Sequence, residues 1–343
     1  MKAIIRAKPW RGDKPPRKIL VMRFQALGDT VITLPYVQSI KRQYPQTVLH
    51  LFTREEVSRI PKSIILFDRI FSLGGKRNAK VQFVLALLMM PLLWMQRYDA
   101  VIDLQHHRFS KIIRWLLGAK AWSVFDTNSP ISAGERTRQT IEALWTWKIS
   151  LDTAFTFKSI EGIDTLLYKN GYKKGHDLVV FNPAGYCVSR NWPLPYYTEF
   201  AKLWIKQNPM TQFVLLLLPS LHEKATFIQK EIGDHCINLT GKADQLEAFK
   251  IIQRSKLVIS EDSGLMHMAW VQGVATIALF SSSRKDWSAP QGEWSVCLDS
   301  SDLACGPCGL EQCTFGDNRC LTRYSPSYVS NIAQQLLSHS ATV

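Results

Sequence analysis

The sequence predicts an α/β protein built from two doubly wound parallel sheets. Two stretches of the 343-residue chain alternate short, continuously apolar runs with amphipathic runs, which is typical of parallel strands covered by helices on both faces. The length also suits two domains, because a domain usually takes ~150 residues. Hydrophobic residues make up 46% of the chain and charged residues 20%, values that exclude a disordered or collagen-like protein.

The elements follow from the length and spacing of these runs. Runs of four to six apolar residues are strands, and longer runs with a 3.6-residue period are helices. In the first half, the strands are 18–23, 48–52 and 100–104, and the helices are 34–43, 110–117 and 136–147. In the second half, the strands are 178–181, 213–218, 257–260 and 276–280, and the helices are 196–205, 222–232, 245–254 and 263–271.

These elements define the expected domains. We expect an N-terminal domain over 1–165 and a C-terminal domain over 175–325, which face each other across a cleft. A last segment, 326–343, contains a helix that could cross back to the first domain.

Charge is divided unevenly between the two halves. Formal net charge is +14, but residues 1–150 hold 25 basic and 10 acidic residues, whereas residues 151–343 hold 17 and 18. The N-terminal half should therefore face an anionic partner, such as nucleic acid, anionic lipid or a phosphorylated saccharide.

Two further segments bear on location. No secretory signal opens the chain, so a cytoplasmic protein is expected, with a basic N-terminal arm that lies in solvent or contacts an anionic surface. The apolar run 81–95 is too short to span a bilayer, which needs about 20 residues. It predicts a buried helix or, since Lys76, Arg77, Lys80 and Arg97 flank it, a helix that lies in the membrane interface.

The first candidate site is the loop that follows strand 18–23. Ligands of open α/β sheets bind beyond the carboxyl ends of the strands, where Arg23, Gly28, Asp29 and Thr30 lie. Gly28 would let a ligand approach the backbone, and Asp29 would place a carboxylate at a helix start. The alternative for Asp29 is an N-cap, a position that aspartate favours. Neither a GxGxxG nor a P-loop motif is present.

Two loops of the second half are the other candidates. Residues 182–185 (NPAG) close a strand, and Arg190 follows them, so the turn could hold a phosphate or be purely structural. At the end of strand 257–260, the backbone N–H groups of Asp262, Ser263 and Gly264 could bind a diphosphate. His267 lies one turn later, where a hydrogen-bonded structural histidine is the alternative to a ligand-binding one.

Four of the seven cysteines are clustered near the C-terminus. Cys305, Cys308, Cys313 and Cys320 fall within sixteen residues and could close a tetrahedral zinc site. A disulfide pair and a reduced, packed loop are the alternatives, and disulfides are not the first choice without a secretory signal.

In this order, the segments resemble glycosyltransferase family 9, the ADP-heptose:lipopolysaccharide heptosyltransferases. The matching pieces include KILVMRFQALGDTVITLPYVQSIKRQYP, YDAVIDLQHHRFSKIIRWLLGA, VVFNPAGYCVSRNWPLPYYTEFAKLW and LVISEDSGLMHMAWVQGVATIALF, with the cysteine-rich CGPCGLEQCTFGDNRC after them. Residues 55–97 and 120–175 lie outside the resemblance. The resemblance implies GT-B architecture and metal-independent, inverting transfer of a heptose from ADP-heptose to a lipopolysaccharide inner-core-type acceptor.

The resemblance also implies roles for particular residues. Asp29 matches the catalytic aspartate, which takes the acceptor proton as general base. Arg190 matches a phosphate-binding lysine, and Glu223 lies near the place where the family contacts the nucleotide ribose. Asp262, Ser263 and Gly264 match the diphosphate loop, with His267 in the same motif. No cofactor is implied, and the cysteine-rich tail occurs in one branch of the family without making its members zinc enzymes.

Three departures put the identity of the sugar in doubt. Arg190 stands where lysine is usual, Leu265 replaces a proline and Ile32 replaces a histidine common in heptosyltransferases. The alternatives are a family member with another nucleotide sugar or saccharide acceptor, a zinc-knuckle nucleic-acid-binding protein, and a non-catalytic scaffold. We expect a nucleotide sugar, an anionic lipid-linked saccharide and, transiently, an anionic membrane surface as partners, with no nucleic acid. A peripheral position on the inner face of the cytoplasmic membrane would follow.

Overall fold

The protein was analysed as a computed structural model that describes residues 5–76, 78–146, 148–185 and 187–340. The chain divides into two compact units, Met1–Ser159 and Ile160–Val343, each built around its own parallel sheet. The α/β class predicted from the sequence is confirmed for both.

The first unit has a six-stranded sheet in the order β1-β6-β5-β2-β3-β4, parallel except for β1. In chain order its elements are β1 (Arg6–Lys8), β2 (Lys18–Met22), α1 (Leu27–Gln43), β3 (Val48–Arg54), α2 (Arg59–Ser63), β4 (Arg69–Leu73), α3 (Ala79–Met95), β5 (Ala100–Asp103), α4 (Arg108–Leu117), β6 (Ala121–Val124) and α5 (Ala133–Glu142). The helix predicted over 136–147 thus starts three residues earlier and ends at Glu142, and position 147 lies outside the described residues.

Part of the basic N-terminal arm is not a free segment in solvent. Residues Arg6–Lys8 form β1, which pairs antiparallel with β6 at the sheet edge. Its burial pattern is exposed, half-buried, exposed, which suits an edge strand carrying charged side chains that discourage pairing with another chain. The sequence prediction of a wholly solvated arm was wrong for these residues.

Helix α3 corresponds to the apolar run 81–95, and it is not a buried helix. Only Ala86, Met90 and Leu93, spaced at i, i+4 and i+7, are buried. The helix is apolar on every side. Its sequence therefore contains no polar face that would indicate which side is exposed to solvent. Within the described parts of the chain, no helix is both long enough and apolar enough to cross a bilayer.

The second unit has a six-stranded, fully parallel sheet in the order β12-β11-β10-β7-β8-β9. Its elements are α6 (Ile163–Lys169), β7 (Asp177–Asn182), α7 (Leu194–Gln207), β8 (Thr211–Leu215), α8 (His222–Ile232), β9 (Cys236–Asn238), α9 (Gln245–Gln253), β10 (Leu257–Glu261), α10 (Gly264–Trp270), β11 (Ala275–Leu279), α11 (Lys285–Ser288), β12 (Ser295–Leu298), α12 (Arg319–Thr322) and α13 (Pro326–Ser340). The last helix packs on α7 and β11 within this unit.

An aromatic cluster forms much of the core of the second unit. Phe181 on β7 lies between Tyr197 and Phe200 of α7 and Phe213 of β8, with ring centroids 4.5 to 5.8 Å apart. Buried Trp192 packs edge-on against Tyr197, at 4.8 Å. The loop before α7 is therefore anchored in the core, which fixes its position beyond β7.

Each sheet has one point where the direction of winding reverses. In the first unit it lies between β2 and β5, and in the second between β7 and β10. Loops at the carboxyl ends of strands diverge at such a point and leave a crevice for a ligand. The loops after β2 and β5, and after β7 and β10, are therefore the places to look for a site.

Candidate active site

In the first unit, Asp29 lies in the first turn of α1, just beyond the carboxyl end of β2. Ala26 is the N-cap residue, so the N-cap alternative for Asp29 itself is wrong. Asp29 instead reaches back, and its Oδ2 accepts a hydrogen bond from Ala26 N–H at 3.1 Å. The same oxygen pairs with Arg23 Nη2 at 2.7 Å. Although Arg23 is almost fully buried, the Asp29 side chain is 37% exposed and accessible to a ligand.

Buried side chains hold the loop that carries these residues. Gln105, which follows β5, accepts hydrogen bonds at Oε1 from Phe24 N–H (2.8 Å) and Gln25 N–H (3.0 Å). Arg23 donates through Nη1 to Leu104 O and lies over the Phe125 ring at 5.2 Å. Several partners thus fix the position of the Arg23 guanidinium. Because this cation is fixed, its ion pair also orients the Asp29 carboxylate.

Two other predicted residues of this loop have structural contacts. Thr30 is buried, and its Oγ1 donates to Ala26 O at 2.9 Å. Gly28 is the second residue of α1 and is half-buried beside Asp29. The structure therefore brings Arg23, Gly28, Asp29 and Thr30 together at one helix start.

A cavity of about 400 Å³ opens beside this loop within the first unit. It lies at the carboxyl ends of β2, β3 and β5, and its polar lining includes Gln25, Arg54, Gln105, His107 and Arg108. Arg54 is buried and pairs with Glu56 at 3.0 Å, although its Nε has no hydrogen-bond partner among the described residues. The cavity thus offers cationic and amide groups to an anionic, hydroxyl-rich ligand.

In the second unit, buried Glu261 joins the two loops at the switch point. This carboxylate ends β10 and is fully buried. Its Oε2 accepts from Gly185 N–H at 2.5 Å, and its Oε1 accepts from Trp192 N–H at 2.7 Å and from Tyr197 Oη–H at 3.3 Å. A Cβ on Gly185 would lie 2.3 Å from Arg190 O, so only glycine fits there. Glu261 therefore anchors the chain at Gly185 and at Trp192, close to Arg190.

Burial raises the pKa of Glu261 from its usual 4.5 to about 7, although Gly185 N–H, nearby Lys224, Trp192 N–H and Tyr197 oppose the shift. A carboxyl group with a raised pKa in the folded state stabilises the fold most below its unfolded-state pKa, and that contribution is lost as the pH rises through the folded-state value.

We therefore expect Glu261 to make the protein less stable as the pH rises from about 4.5 to about 7, by a few kcal/mol at most. Glu261→Gln removes this titration. Chemical denaturation of both proteins between about pH 5 and about pH 8 should show the free energy of unfolding of the wild type falling relative to that of the variant. A difference that does not change with pH would contradict this role.

The predicted diphosphate loop follows Glu261 directly. Asn182 Nδ2 donates to Ser260 Oγ (2.8 Å) and Ser263 Oγ (2.6 Å), so the Ser263 hydroxyl is engaged and does not cap α10. A Cβ on Gly264 would meet nothing within 4 Å, which leaves open space above this turn. Asp262 lies at the edge of the loop, 3.4 Å from Ser288 Oγ.

Arg190 lies between Gly185 and Trp192 in the chain, and both of these residues donate to Glu261, which directly precedes the diphosphate loop. Its Nε donates to Ser282 Oγ at 3.3 Å, and it pairs with no carboxylate among the residues that the structure describes. By contrast, the cations of a nearby 390 Å³ cavity are neutralised, since Arg284 pairs with Asp286 and Lys285 with Asp299. Arg190 is therefore the better candidate for binding an anion.

Glu223 and His267 differ in exposure, since Glu223 is exposed and His267 is buried. Glu223 lies exposed in the first turn of α8, and its neighbour Lys224 donates through Nζ to Pro183 O (3.0 Å) and to Asn191 Oδ1. The start of α8 therefore adjoins the loop after β7. His267 is buried, and its Nδ1 accepts from Trp270 Nε1–H at 3.0 Å, a contact of the structural kind. Ligand binding by Glu223 and His267 remains a prediction.

All seven cysteines are free thiols. Cys305, Cys308, Cys313 and Cys320 line one small cavity of about 50 Å³, next to Ser189 and Ser282. In the described ranges, no group of three or more His, Cys, Asp or Glu side chains is placed to hold a metal ion. Backbone N–H groups, led by that of Asn318, lower the pKa of Cys313, whereas burial raises that of Cys320.

This cysteine-rich loop packs on the candidate site. Ser189 Oγ donates to Leu310 O at 2.6 Å, and Gly309 N–H donates to Ser282 O at 2.8 Å. Both serines belong to the neighbourhood of Arg190, so the loop supports the residues around that cation.

Sequence reasoning did not select three residues that organise these sites: Gln105, Lys224 and Glu261. Their partners lie far away along the chain, 80 residues for Gln105 and Gln25 and 76 for Glu261 and Gly185. An acidic residue at the end of an otherwise apolar strand was the one available signal for Glu261.

Known proteins resemble this chain over most of its length. Residues 91–318 match the model of glycosyltransferase family 9 (heptosyltransferase). The chain is 24% identical to lipooligosaccharide heptosyltransferase 2 of Campylobacter jejuni over 322 residues, which cover 92% of this chain and 96% of that protein. It is 21% identical to lipopolysaccharide heptosyltransferase 1 of Pseudomonas aeruginosa over 357 residues, covering 93% and 98%.

Solved structures show the same fold. A family 9 glycosyl transferase from Veillonella parvula superposes with a TM-score of 0.76 at 18% identity, covering 94% of this chain and 97% of that one. The ADP-heptose LPS heptosyltransferase II of E. coli gives a TM-score of 0.68 at 18% identity, covering 94% and 99%. These likenesses assign both units to the GT-B architecture.

Proposed function

The chain belongs to glycosyltransferase family 9, the heptosyltransferase family, and we propose that it transfers a heptose from ADP-heptose to an anionic, lipid-linked saccharide of the lipopolysaccharide inner-core type. The proposal includes inversion at the anomeric carbon, no required cofactor, and a cytoplasmic location with access to the inner face of the membrane. Relatives named as lipopolysaccharide or lipooligosaccharide heptosyltransferases support the choice of sugar and acceptor.

The observation that carries the proposal is the placement of Asp29. Its carboxylate lies at the switch point of the first sheet, partly exposed and paired with an immobilised arginine. A general base must present its carboxylate within reach of the proton that it takes. Because Arg23 also fixes the orientation of the carboxylate, no large rearrangement is needed to present it to a hydroxyl group.

Asp29 would take the proton of the acceptor hydroxyl as that oxygen attacks the anomeric carbon. The new glycosidic C–O bond forms as the bond from the anomeric carbon to the diphosphate breaks, and ADP leaves with the bonding electrons. Attack from the face opposite the leaving group inverts the anomeric centre. General-base catalysis of this kind is worth about 10²- to 10⁴-fold in rate.

The second unit would bind the nucleotide sugar. Negative charge develops on the diphosphate as ADP leaves. Cations and N–H donors that are already held in position stabilise this charge most effectively. Arg190 and the backbone N–H groups of Asp262, Ser263 and Gly264 are the proposed ligands of the diphosphate, with Glu223 near the ribose. Glu261 would act as a positioning residue, since it holds the loop that carries Arg190.

The first unit would bind the acceptor. Its 400 Å³ cavity adjoins the Asp29 loop and is lined by Arg108, whose guanidinium suits phosphate and carboxylate groups, and by Arg54, whose charge is already paired with Glu56. The excess positive charge of residues 1–150 agrees with this assignment.

Thermal unfolding in a panel of nucleotides and nucleotide sugars tests the donor. We expect ADP and ADP-heptose to raise Tm, because a ligand that binds only the folded state stabilises it. UDP, GDP and their sugars should raise it less at equal concentration. A clear preference for a UDP- or GDP-sugar would replace ADP-heptose as the donor, and no stabilisation by any of them would overturn donor binding.

A further inference from the structure

Helices α3 and α4 of the first unit share an exposed apolar surface. The helices lie side by side and run in the same direction, since Phe83 contacts Phe109 near their N-termini and Trp94 Nε1–H donates to Leu116 O near their C-termini. We call this surface the α3–α4 face. Its most exposed apolar side chains are Val84 (55%), Leu88 (70%), Met95 (67%) and Trp115 (78%).

The face is continuous along α3. Val81, Val84, Leu88, Leu92 and Met95 recur every three or four residues and are all at least 41% exposed. Such spacing places them on one side of the helix. Single exposed apolar residues are ordinary on a protein surface, whereas a contiguous stripe of this length marks an interaction site.

The charge around the face has one sign. Residues 69–98 and 104–125, which include both helices, contain no aspartate or glutamate. The exposed cations beside the apolar side chains are Lys76, Lys80, Arg97, Arg108, Lys111 and Lys120. None of them pairs with a carboxylate in the portion of the chain that the structure describes.

We propose that the α3–α4 face docks on the surface of an anionic lipid bilayer, with its apolar side chains in the interface and its cations against the headgroups. Amphipathic surfaces that bind in this way combine buried apolar area with attraction to anionic lipid. Trp94 suits this environment, because its indole N–H is already bonded to Leu116 O and needs no water.

A second copy of the chain is the less suitable occupant. A twofold interface brings a patch against itself, so the cations of one copy would face those of the other. Like charges brought together in this way oppose association, whereas an anionic bilayer supplies the opposite charge. The inference uses only this surface and does not depend on the proposed sugar transfer.

Co-sedimentation of the purified full chain with vesicles tests the proposal. We expect binding to vesicles of phosphatidylglycerol and phosphatidylethanolamine, weakening as salt increases, and little binding to phosphatidylcholine alone. Leu88→Glu combined with Trp115→Glu should lower the partition coefficient by at least about tenfold. The matched control, Ile160→Glu with Met210→Glu, changes exposed apolar residues of the second unit and should bind like the wild type.

A second variant covers the case in which the apolar substitutions impair folding. Lys80→Gln with Lys111→Gln alters only exposed cations and should weaken binding to the anionic vesicles and reduce its dependence on salt. Absence of wild-type binding, or equal binding by the Leu88 and Trp115 variant, would overturn the proposal. So would a wild-type dimer, seen by light scattering, that this variant dissociates and that does not bind vesicles.

Discussion

Replacing Asp29 with asparagine should lower kcat by about 10²-fold or more, the range of general-base catalysis, while leaving the affinity for ADP nearly unchanged. The amide has almost the shape of the carboxylate but cannot accept the proton of the acceptor hydroxyl. Steady-state kinetics with saturating donor measure the first effect, and isothermal titration calorimetry with ADP measures the second.

Asp68→Asn is a closely matched control for this substitution. The Asp68 side chain is 40% exposed, pairs with Lys41 at 3.0 Å and accepts from Leu49 N–H at 2.8 Å. It therefore reproduces the exposure, the ion pair and the backbone hydrogen bond of Asp29, but it precedes β4 at the amino end of the sheet. Its kcat should be that of the wild type. An Asp29→Asn enzyme that retains activity would remove the proposed mechanism.

Replacing Arg190 with alanine should weaken ADP binding by about 10- to 100-fold, since a hydrogen bond to a charged group is worth about 1.5–3 kcal/mol. Because Arg190 pairs with no carboxylate among the described residues, its charge is available to the diphosphate. Arg190→Lys keeps the charge but loses the planar fork, so its ADP affinity should lie between those of the wild type and the alanine variant. Calorimetry measures all three.

Arg254→Ala controls for the loss of a positive charge. Arg254 is partly exposed and pairs with Asp164, and it precedes β10 rather than following it, so it lies at the opposite end of the sheet. Its removal should leave ADP affinity unchanged. Equal affinity of the wild type and the Arg190→Ala variant would exclude Arg190 from the donor site.

The central strands could be predicted from the sequence because they are buried on both faces. Strands β2, β3, β5, β7, β8, β10 and β11 are rich in apolar residues, and each overlaps a predicted strand. The edge strands β1, β4, β9 and β12 were missed, and so was β6. Strands β1 and β12 are only three and four residues long and partly exposed, so neither apolar content nor alternation distinguishes them from loops.

The contents of the candidate sites were only partly predictable. The loops around Asp29 and Gly264 are local in sequence, and their position after strands identified them. Glu261 and Gln105 act on backbone N–H groups about 80 residues away, so their role appears only when the sheet is assembled. The exposure of α3 was also hidden, because a helix that is apolar on every side has the same sequence signature whether it is buried or exposed.

Glu261 fixes the backbone on both sides of Arg190, whereas the side chain at position 190 supplies the charge for a ligand. Gly185 and Trp192 are held through their backbone N–H groups, which any residue at position 190 leaves untouched. Substitution of the cation would therefore change ligand preference without requiring the surrounding scaffold to adapt. Position 190 is therefore the place at which to vary the charge and reach of the cation when a different ligand preference is sought.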